Sequence, residues 1–441
     1  MKDLFLTNRF FGLSGLLVLT FAVSFFVPPL LQVAQLLLAF AAALTVLDFA
    51  LLYGKQDLIT AQRKLPKILS LSDPNLVKVT VANHSRQRLF LKIADEIPFQ
   101  FQERNFMLDA VLDPDEAREI NYELRPVQRG AYVFNRINVF TTTALGLAER
   151  RIRVEAREEV PVYPSILQMK QYEYRAFDRL SNHQGIKQLR RIGHSYEFEQ
   201  IKNYVRGDDH RSINWKASSR RADIMVNQYQ DERAQQVYCI IDKSRAMRMP
   251  FEGLSLMDYA INTSLAVSNI ALKKYDRAGL ITFSDKIGAS LKADNKATQL
   301  NKILLTLYNE ADRAMEANYE LLYQASRRLI TGGRSLILLF TNFESSFALE
   351  RVLPILRRIN NNHLLVVIFF ENTEIRNFAN QEVSTLEGIY HQTVAQKFMA
   401  EKSAMVHKLK QYGIQAILTE PQALSMNTIN KYLELKARGL I

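Results

Sequence analysis

The sequence predicts a membrane-anchored multidomain chain: an N-terminal transmembrane helical hairpin, a β-sandwich, then an α/β Rossmann-like domain. Three observations carry this expectation. Two charge-poor apolar runs fill most of the first 53 residues, period-two alternation fills residues 75–159, and beyond residue 235 short apolar runs alternate with helix-period segments. The expected bounds are 1–60 for the hairpin, 70–160 for the sandwich, 165–234 for a segment packing on the α/β domain, and 235–441 for that domain.

Composition narrows the function classes. With 441 residues, 48% hydrophobic and 23% charged, the chain is neither collagenous nor intrinsically disordered. Fifty-seven Lys plus Arg against 45 acidic residues give a net charge of +12, which favours anionic partners such as phospholipid head groups or nucleic acid. Cys239 is the only cysteine, so no intrachain disulfide forms, and seven scattered histidines offer no Cys/His zinc framework.

Residues 10–27 contain no charge over 18 positions, about 27 Å of helix and enough to cross a bilayer. Pro28 and Pro29 interrupt the run, and residues 30–53 continue it with only Gln32, Gln35 and Asp48 strongly polar. A second span following at once, with no small-residue cleavage site between, argues against a cleavable signal. Lys2 and Arg9 precede the first span; Lys55, Arg63, Lys64 and Lys67 follow the second; the connection is uncharged. The positive-inside rule then predicts the cytoplasmic (inner) membrane, with both termini and the soluble domains cytoplasmic. Asp48 is expected at head-group level as a wetted carboxylate, not as an intramembrane functional group.

Alternation in residues 75–159 predicts half-buried antiparallel strands, with turns at Asn83-His84-Ser85, Asp113-Pro114-Asp115 and Arg129-Gly130. Arg129-Gly130 and Leu145-Gly146-Leu147 read as turns between strands. Pro161 and Pro164 favour an extended linker. A helix is expected within 169–191. Apolar runs at 236–241, 278–283, 335–341, 364–370 and 415–418 read as buried strands, and helices are expected around 256–274, 297–308, 319–329, 347–359, 394–411 and 423–436. That alternation predicts a parallel sheet covered on both faces, whose ligands bind beyond the strands' carboxyl ends.

The residues Tyr196-Glu197-Phe198, Tyr204-Val205-Arg206, then Gly207-Asp208-Asp209-His210-Arg211-Ser212-Ile213-Asn214-Trp215-Lys216 through Arg220, and Asp242-Lys243-Ser244-Arg245-Ala246-Met247 form a specific pattern. It resembles the signature of the bacterial family called domain of unknown function 58, and the upstream hairpin and β-rich segment fit as well. The resemblance implies a membrane-anchored protein whose C-terminal module is similar to a von Willebrand factor A domain. It also implies association with a MoxR-type AAA-plus ATPase in chaperone-like or assembly work, without an established reaction.

A von Willebrand factor A domain of the usual kind holds Mg²⁺ through D-x-S-x-S, a threonine on a second loop and an aspartate on a third, oxygen ligands that suit a hard octahedral cation. Here Asp242 and Ser244 match, but Ala246 replaces the second serine and Thr341-Asn342 stands where Thr-Asp is usual. No convincing second-loop threonine occurs around Ala317-Asn318-Tyr319. A degenerate, metal-free site is therefore expected at Asp242, Ser244, Thr341 and Asn342, with Mg²⁺ the disfavoured alternative and no other cofactor.

In the 207–220 block, Asp208, Asp209 and His210 could bind a cation or move protons, and with Asp242 they define an alternative metal-dependent hydrolase. Adjacent side chains diverge on a strand, and Gly-Asp-Asp is a common turn, so a structural or partner-docking role is preferred, with Trp215 buried as the loop's anchor. The docking set is Gly207, Asp208, Asp209, His210, Arg211, Trp215, Lys216 and Arg220. Basic clusters at Lys187, Arg190 and Arg191, at Arg220 and Arg221, at Arg327 and Arg328, and at Arg357 and Arg358 lack interleaved exposed aromatics, so no nucleic-acid partner is expected. They are read as solvated faces near an anionic phospholipid leaflet. The Thr331-Gly332-Gly333-Arg334 turn lacks P-loop spacing. The expected function is a non-enzymatic, membrane-tethered interaction or assembly module.

Overall fold

The computed structural model describes residues 3–54, 58–103, 106–165, 169–171, 192–206, 208–221, 223–230, 234–381 and 385–440. The chain divides into two compact units, Met1–Tyr163 and Pro164–Ile441.

The first unit opens on a short edge strand, β1 (Leu4–Leu6), before α1 (Asn8–Ser24). Thr7 caps this helix, and its hydroxyl also donates to the Gly146 carbonyl at 2.5 Å. Pro28 and Pro29, which cannot extend a helix ladder, separate α1 from α2 (Leu30–Tyr53). The 24 residues of α2 are long and apolar enough to cross a membrane; α1, at 17, is shorter. Asp48 departs from the expected wetted carboxylate: it is fully buried. The Thr143 hydroxyl donates to one of its oxygens, and the Leu147 and Ala148 N–H groups donate to the other at 2.8 Å each. Three donors on one loop replace water, which is what a buried carboxylate needs.

The strands β2 (Ile59–Lys64), β3 (Leu69–Ser70), β4 (Asn75–Asn83), β5 (Leu89–Asp95), β6 (Leu108–Leu112), β7 (Ala117–Leu124), β8 (Gly130–Phe134), β9 (Ile137–Thr142), β10 (Ala148–Val154) and β11 (Glu158–Tyr163) complete the unit. They form sheets ordered β1-β10-β9-β5-β6, β2-β4-β7 and β3-β11-β8. Alternation is visible in β4, which buries Val77, Val79 and Val81 while Leu76 and Thr80 face out. The expected Val160–Pro164 linker is extended, but its first part is β11, paired with β8.

In the second unit β12 (Ile192–Asn203) pairs antiparallel with β13 (Met225–Gln230), with α3 (Trp215–Arg221) between them. The helix expected within 169–191 lies almost wholly outside the described residues, as do Lys187, Arg190 and Arg191. The main sheet contains β14 (Gln236–Asp242), then β17 (Arg277–Phe283), β18 (Ile287–Asp294), β19 (Leu336–Phe340), β20 (Leu364–Phe370) and β21 (Gln415–Thr419); β15 (Pro250–Phe251) and β16 (Leu254–Ser255) form a small ribbon. Its order is β18-β17-β14-β19-β20-β21. Five strands are parallel, but β18 runs antiparallel to β17, so the sheet is mixed at one edge rather than wholly parallel.

The helices are α4 (Leu256–Lys273), α5 (Gln299–Asn309), α6 (Tyr319–Leu329), α7 (Ser346–Asn362), α8 (Thr373–Ala379), α9 (Leu386–Gln411) and α10 (Leu424–Ala437). One core packs Val237, Cys239 and Ile241 against α4, α5 and α10; the other packs Tyr238 and Ile240 against α6, α7 and α9. Both faces are thereby covered, which is why the strands read as continuous apolar runs. Strand order reverses between β14 and β19, the position where open α/β sheets place their ligands.

Candidate functional site

At that reversal the carboxylate of Asp242, on the last residue of β14, is buried. One oxygen accepts the Ser244 N–H at 2.8 Å, and the other accepts the Thr341 hydroxyl at 2.7 Å. Thr341 Oγ1 lies 2.7 Å from the phenol oxygen of Tyr319. Burial pushes the Asp242 carboxyl above its usual range and the Tyr319 phenol well above its own. Sequence reasoning searched this stretch for a threonine and passed over Tyr319, whose hydroxyl reaches the carboxylate by a longer arm. Tyr319 is held by an edge-to-face contact with Phe283, 5.4 Å between centroids, and stacks on Phe343.

Asn342 faces the next group the sequence reading missed. Its Oδ1 accepts from the Lys402 ammonium at 3.3 Å, its Nδ2 donates to the Ala246 carbonyl at 3.4 Å, and Lys402 also donates to the Phe343 carbonyl. Lys402 is only 3% exposed, with its ammonium 5.5 Å from the Phe398 ring centre and 5.9 Å from that of Phe369. Burial pulls its pKa down to about 8, partly opposed by Glu344 and Glu401. The available signal was its place in α9, in line with the buried Ala395, Met405 and Leu409 at helical spacing.

Among the described residues no group of three or more His, Cys, Asp or Glu side chains gathers at this edge. Both Asp242 oxygens are engaged by local donors, Ala246 offers no side-chain oxygen, and the Asn342 oxygen faces an ammonium where a cation ligand would need free electron density. Cavities of about 90 Å³ and about 210 Å³ open on either side of Asn342 and Glu344. Arg245 and Arg351 share Glu316 on the smaller one, at 3.3 and 3.1 Å.

The signature hairpin is built differently. Asp208 accepts from Lys202 Nζ at 2.9 Å and from the Val205 N–H at 3.0 Å; the Lys202 bond is the main reason its carboxyl lies below the usual range. Asp209 accepts the Arg211 N–H at 3.0 Å, and His210 stacks on Tyr204. Gly207 lies outside the described residues. Asp208 is thus tied back to β12, and Asp209 caps the short turn that follows it. Trp215 departs from the expected buried anchor: it is 72% exposed. Polar ties hold the loop instead, with Asn214 Nδ2 on Asn227 Oδ1 at 2.8 Å, the Ala217 N–H on Asn214 Oδ1 at 3.0 Å, and the Met225 N–H on Ser218 Oγ at 2.9 Å. In the same hairpin, the exposed side chains of Arg206, Arg211, Lys216, Arg220 and Arg221 form no ion pair among the described residues.

An open sheet with both faces covered and an Asp-x-Ser turn at its switch point defines an α/β domain of doubly wound architecture. Residues 200–376 match the family described as Protein of unknown function DUF58, which bears out the resemblance carried by the signature. The uncharacterized protein YeaD of Bacillus subtilis (strain 168) is 28% identical over 126 residues, 28% of this chain. The match spans only 31% of that relative's length. The SpRpn10 VWA domain is similar to 44% of this chain and 93% of its own, at 15% identity and a TM-score of 0.28. The conserved hypothetical protein BatB from Bacteroides thetaiotaomicron is similar over 45% of this chain and 99% of its own, at 12% identity and a TM-score of 0.30.

Proposed function

We propose that this chain is a membrane-tethered interaction or assembly module that docks a MoxR-type AAA-plus ATPase through the signature hairpin, with a sheet edge that works without metal. The observation that carries it is Trp215, exposed at the start of α3 in a hairpin fixed by polar ties, whose exposed Arg206, Arg211, Lys216, Arg220 and Arg221 form no ion pair among the described residues. Trp and Arg dominate the energetics of protein interfaces, and an ordered loop has little freedom left to lose on binding. The tether is α1 and α2 in the cytoplasmic membrane, with both termini and the soluble units on the cytoplasmic side. Exposed Phe11, Leu16, Leu19, Leu36, Phe40 and Val46 support it, since such a surface is costly in water. No observation favours a hydrolase on Asp208, Asp209, His210 and Asp242: among the described residues no three His, Cys, Asp or Glu side chains gather as a metal site would need.

The test is affinity capture from native membranes with nucleotide present. Trp215→Ala is expected to cut recovery of the ATPase at least about tenfold, as loss of a central aromatic anchor does, and Arg220→Glu is expected to act likewise. Undiminished recovery by both variants sinks the docking role. The exposed aromatic on a hairpin with these cations removes one ground for excluding nucleic acid. Binding to a labelled single-stranded oligonucleotide that falls steeply with salt would therefore replace the protein partner.

A further inference from the structure

A cavity of about 780 Å³ lies in the first unit where α1 begins. Thr7, Asn8 and Arg9 form one wall, and the outer face of the sheet, with Phe90, Lys92 and Phe140, forms another. Arg118 also lines it, but Glu116 holds its guanidinium at 2.7 Å. Four charged groups remain: Arg9 and Lys92, and the carboxylates of Asp109 and Glu149. None of the four forms an ion pair among the described residues, although Lys92 and Asp109 stand directly opposite each other on β5 and β6. Two cations and two anions left apart in one concavity match a ligand that carries both charges.

The depth of the cavity narrows the ligand further. Arg9 is the last charge before 18 uncharged residues, so in a tethered chain it stands at head-group level. Phe90 lines the cavity and Phe5 packs beside Phe140 at its rim; both rings are exposed, an apolar surface suited to lie against lipid. We infer that this cavity binds one phospholipid with a primary-ammonium head group, its phosphate between Arg9 and Lys92 and its ammonium facing Asp109 and Glu149. The inference rests on the membrane tether proposed above. The acyl chains then run along the apolar surface of α1, and phosphate and ammonium each meet opposite charge through charge-assisted hydrogen bonds.

The experiment uses the full chain extracted with an equimolar mixture of phosphatidylethanolamine, phosphatidylglycerol and phosphatidylcholine of identical acyl chains, with retained lipid read by native mass spectrometry. One phosphatidylethanolamine is expected to be retained about tenfold over each competitor, the ratio given by one charge-assisted contact. Arg9→Gln with Lys92→Gln is expected to abolish retention. Asp109→Asn with Glu149→Gln is expected to switch preference to phosphatidylglycerol, a gain that an unfolded variant does not produce. Equal retention of the three lipids, preference for phosphatidylglycerol in the unmodified protein, or retention unchanged by Arg9→Gln with Lys92→Gln overturns the inference. Alkaline carbonate washing of native membranes separates the two readings: release of the protein means the tether is wrong, whereas a retained protein without bound phosphatidylethanolamine leaves only the lipid site wrong.

Discussion

Lys402 keeps a charge in a place where it is nearly cut off from water, and its contacts bear on the loop that carries Thr341 and Asn342. An unfolded lysine titrates near about 10.4, whereas burial brings Lys402 to about 8. Between those values the unfolded chain holds more protons than the folded one, so stability rises with pH across that window. Below about pH 8 the full cost of burying the ammonium applies, on the order of 3 kcal/mol before its hydrogen bonds are counted. Lys402→Met keeps the length of the side chain and removes the charge. Its stability relative to the unmodified protein is expected to be most favourable at pH 7 and to fall back by about 2 kcal/mol at pH 10, read from urea unfolding at the two pH values. A pH-independent difference would mean that the ammonium is solvated. Tyr319 makes the same point for a neutral group: its phenol supplies the hydroxyl that the second loop lacks, and residue type alone did not suggest it.

Among the elements, α2 shows where sequence stops being informative. Its apolar length was legible, as were the parallel strands, because burial on both faces removes polar residues from a whole run. Helix α6 falls on the expected 319–329. Strand β18 was missed because it is half-buried at an edge, with alternating polarity in place of a solid apolar run. The fate of Asp48 was not legible at all, since its donors lie 95 to 100 positions further along the chain. Trp215 was misjudged for a related reason: a lone tryptophan is usually packed, but the Asn214 and Ser218 bonds that make packing unnecessary depend on tertiary register. Asp48→Leu is expected to leave two backbone N–H groups and one hydroxyl without partners, destabilising the junction of α2 with β10 by about 2–5 kcal/mol. Limited proteolysis in detergent should then cut within 143–148 at least about tenfold faster than in the unmodified protein, since cleavage follows the population of the open form. Unchanged cleavage would mean that water replaces the lost carboxylate.

At the scale of the whole molecule, the charge asymmetry and the order of elements make one orientation testable with the chain's own chemistry. Cys239 is the only cysteine, it is buried in the α/β core, and burial raises its thiol to about 12. A thiol that stays protonated and enclosed does not react with maleimides at neutral pH, so the unmodified protein is a silent background. A single cysteine introduced at an exposed position therefore reports its own compartment. Val27 lies in the uncharged connection between α1 and α2, and Asn362 is exposed at the end of α7. If Arg9 and the basic residues after α2 hold both ends of the tether at the cytoplasmic leaflet, the connection crosses to the far side while the two soluble units stay within. Val27→Cys is expected to react with a membrane-impermeant maleimide in intact cells, and Asn362→Cys only after lysis. The reverse pattern would move the soluble units outside and remove the ATPase from reach. Labelling of both positions before lysis would show that the apolar helices lie against other protein rather than across a bilayer.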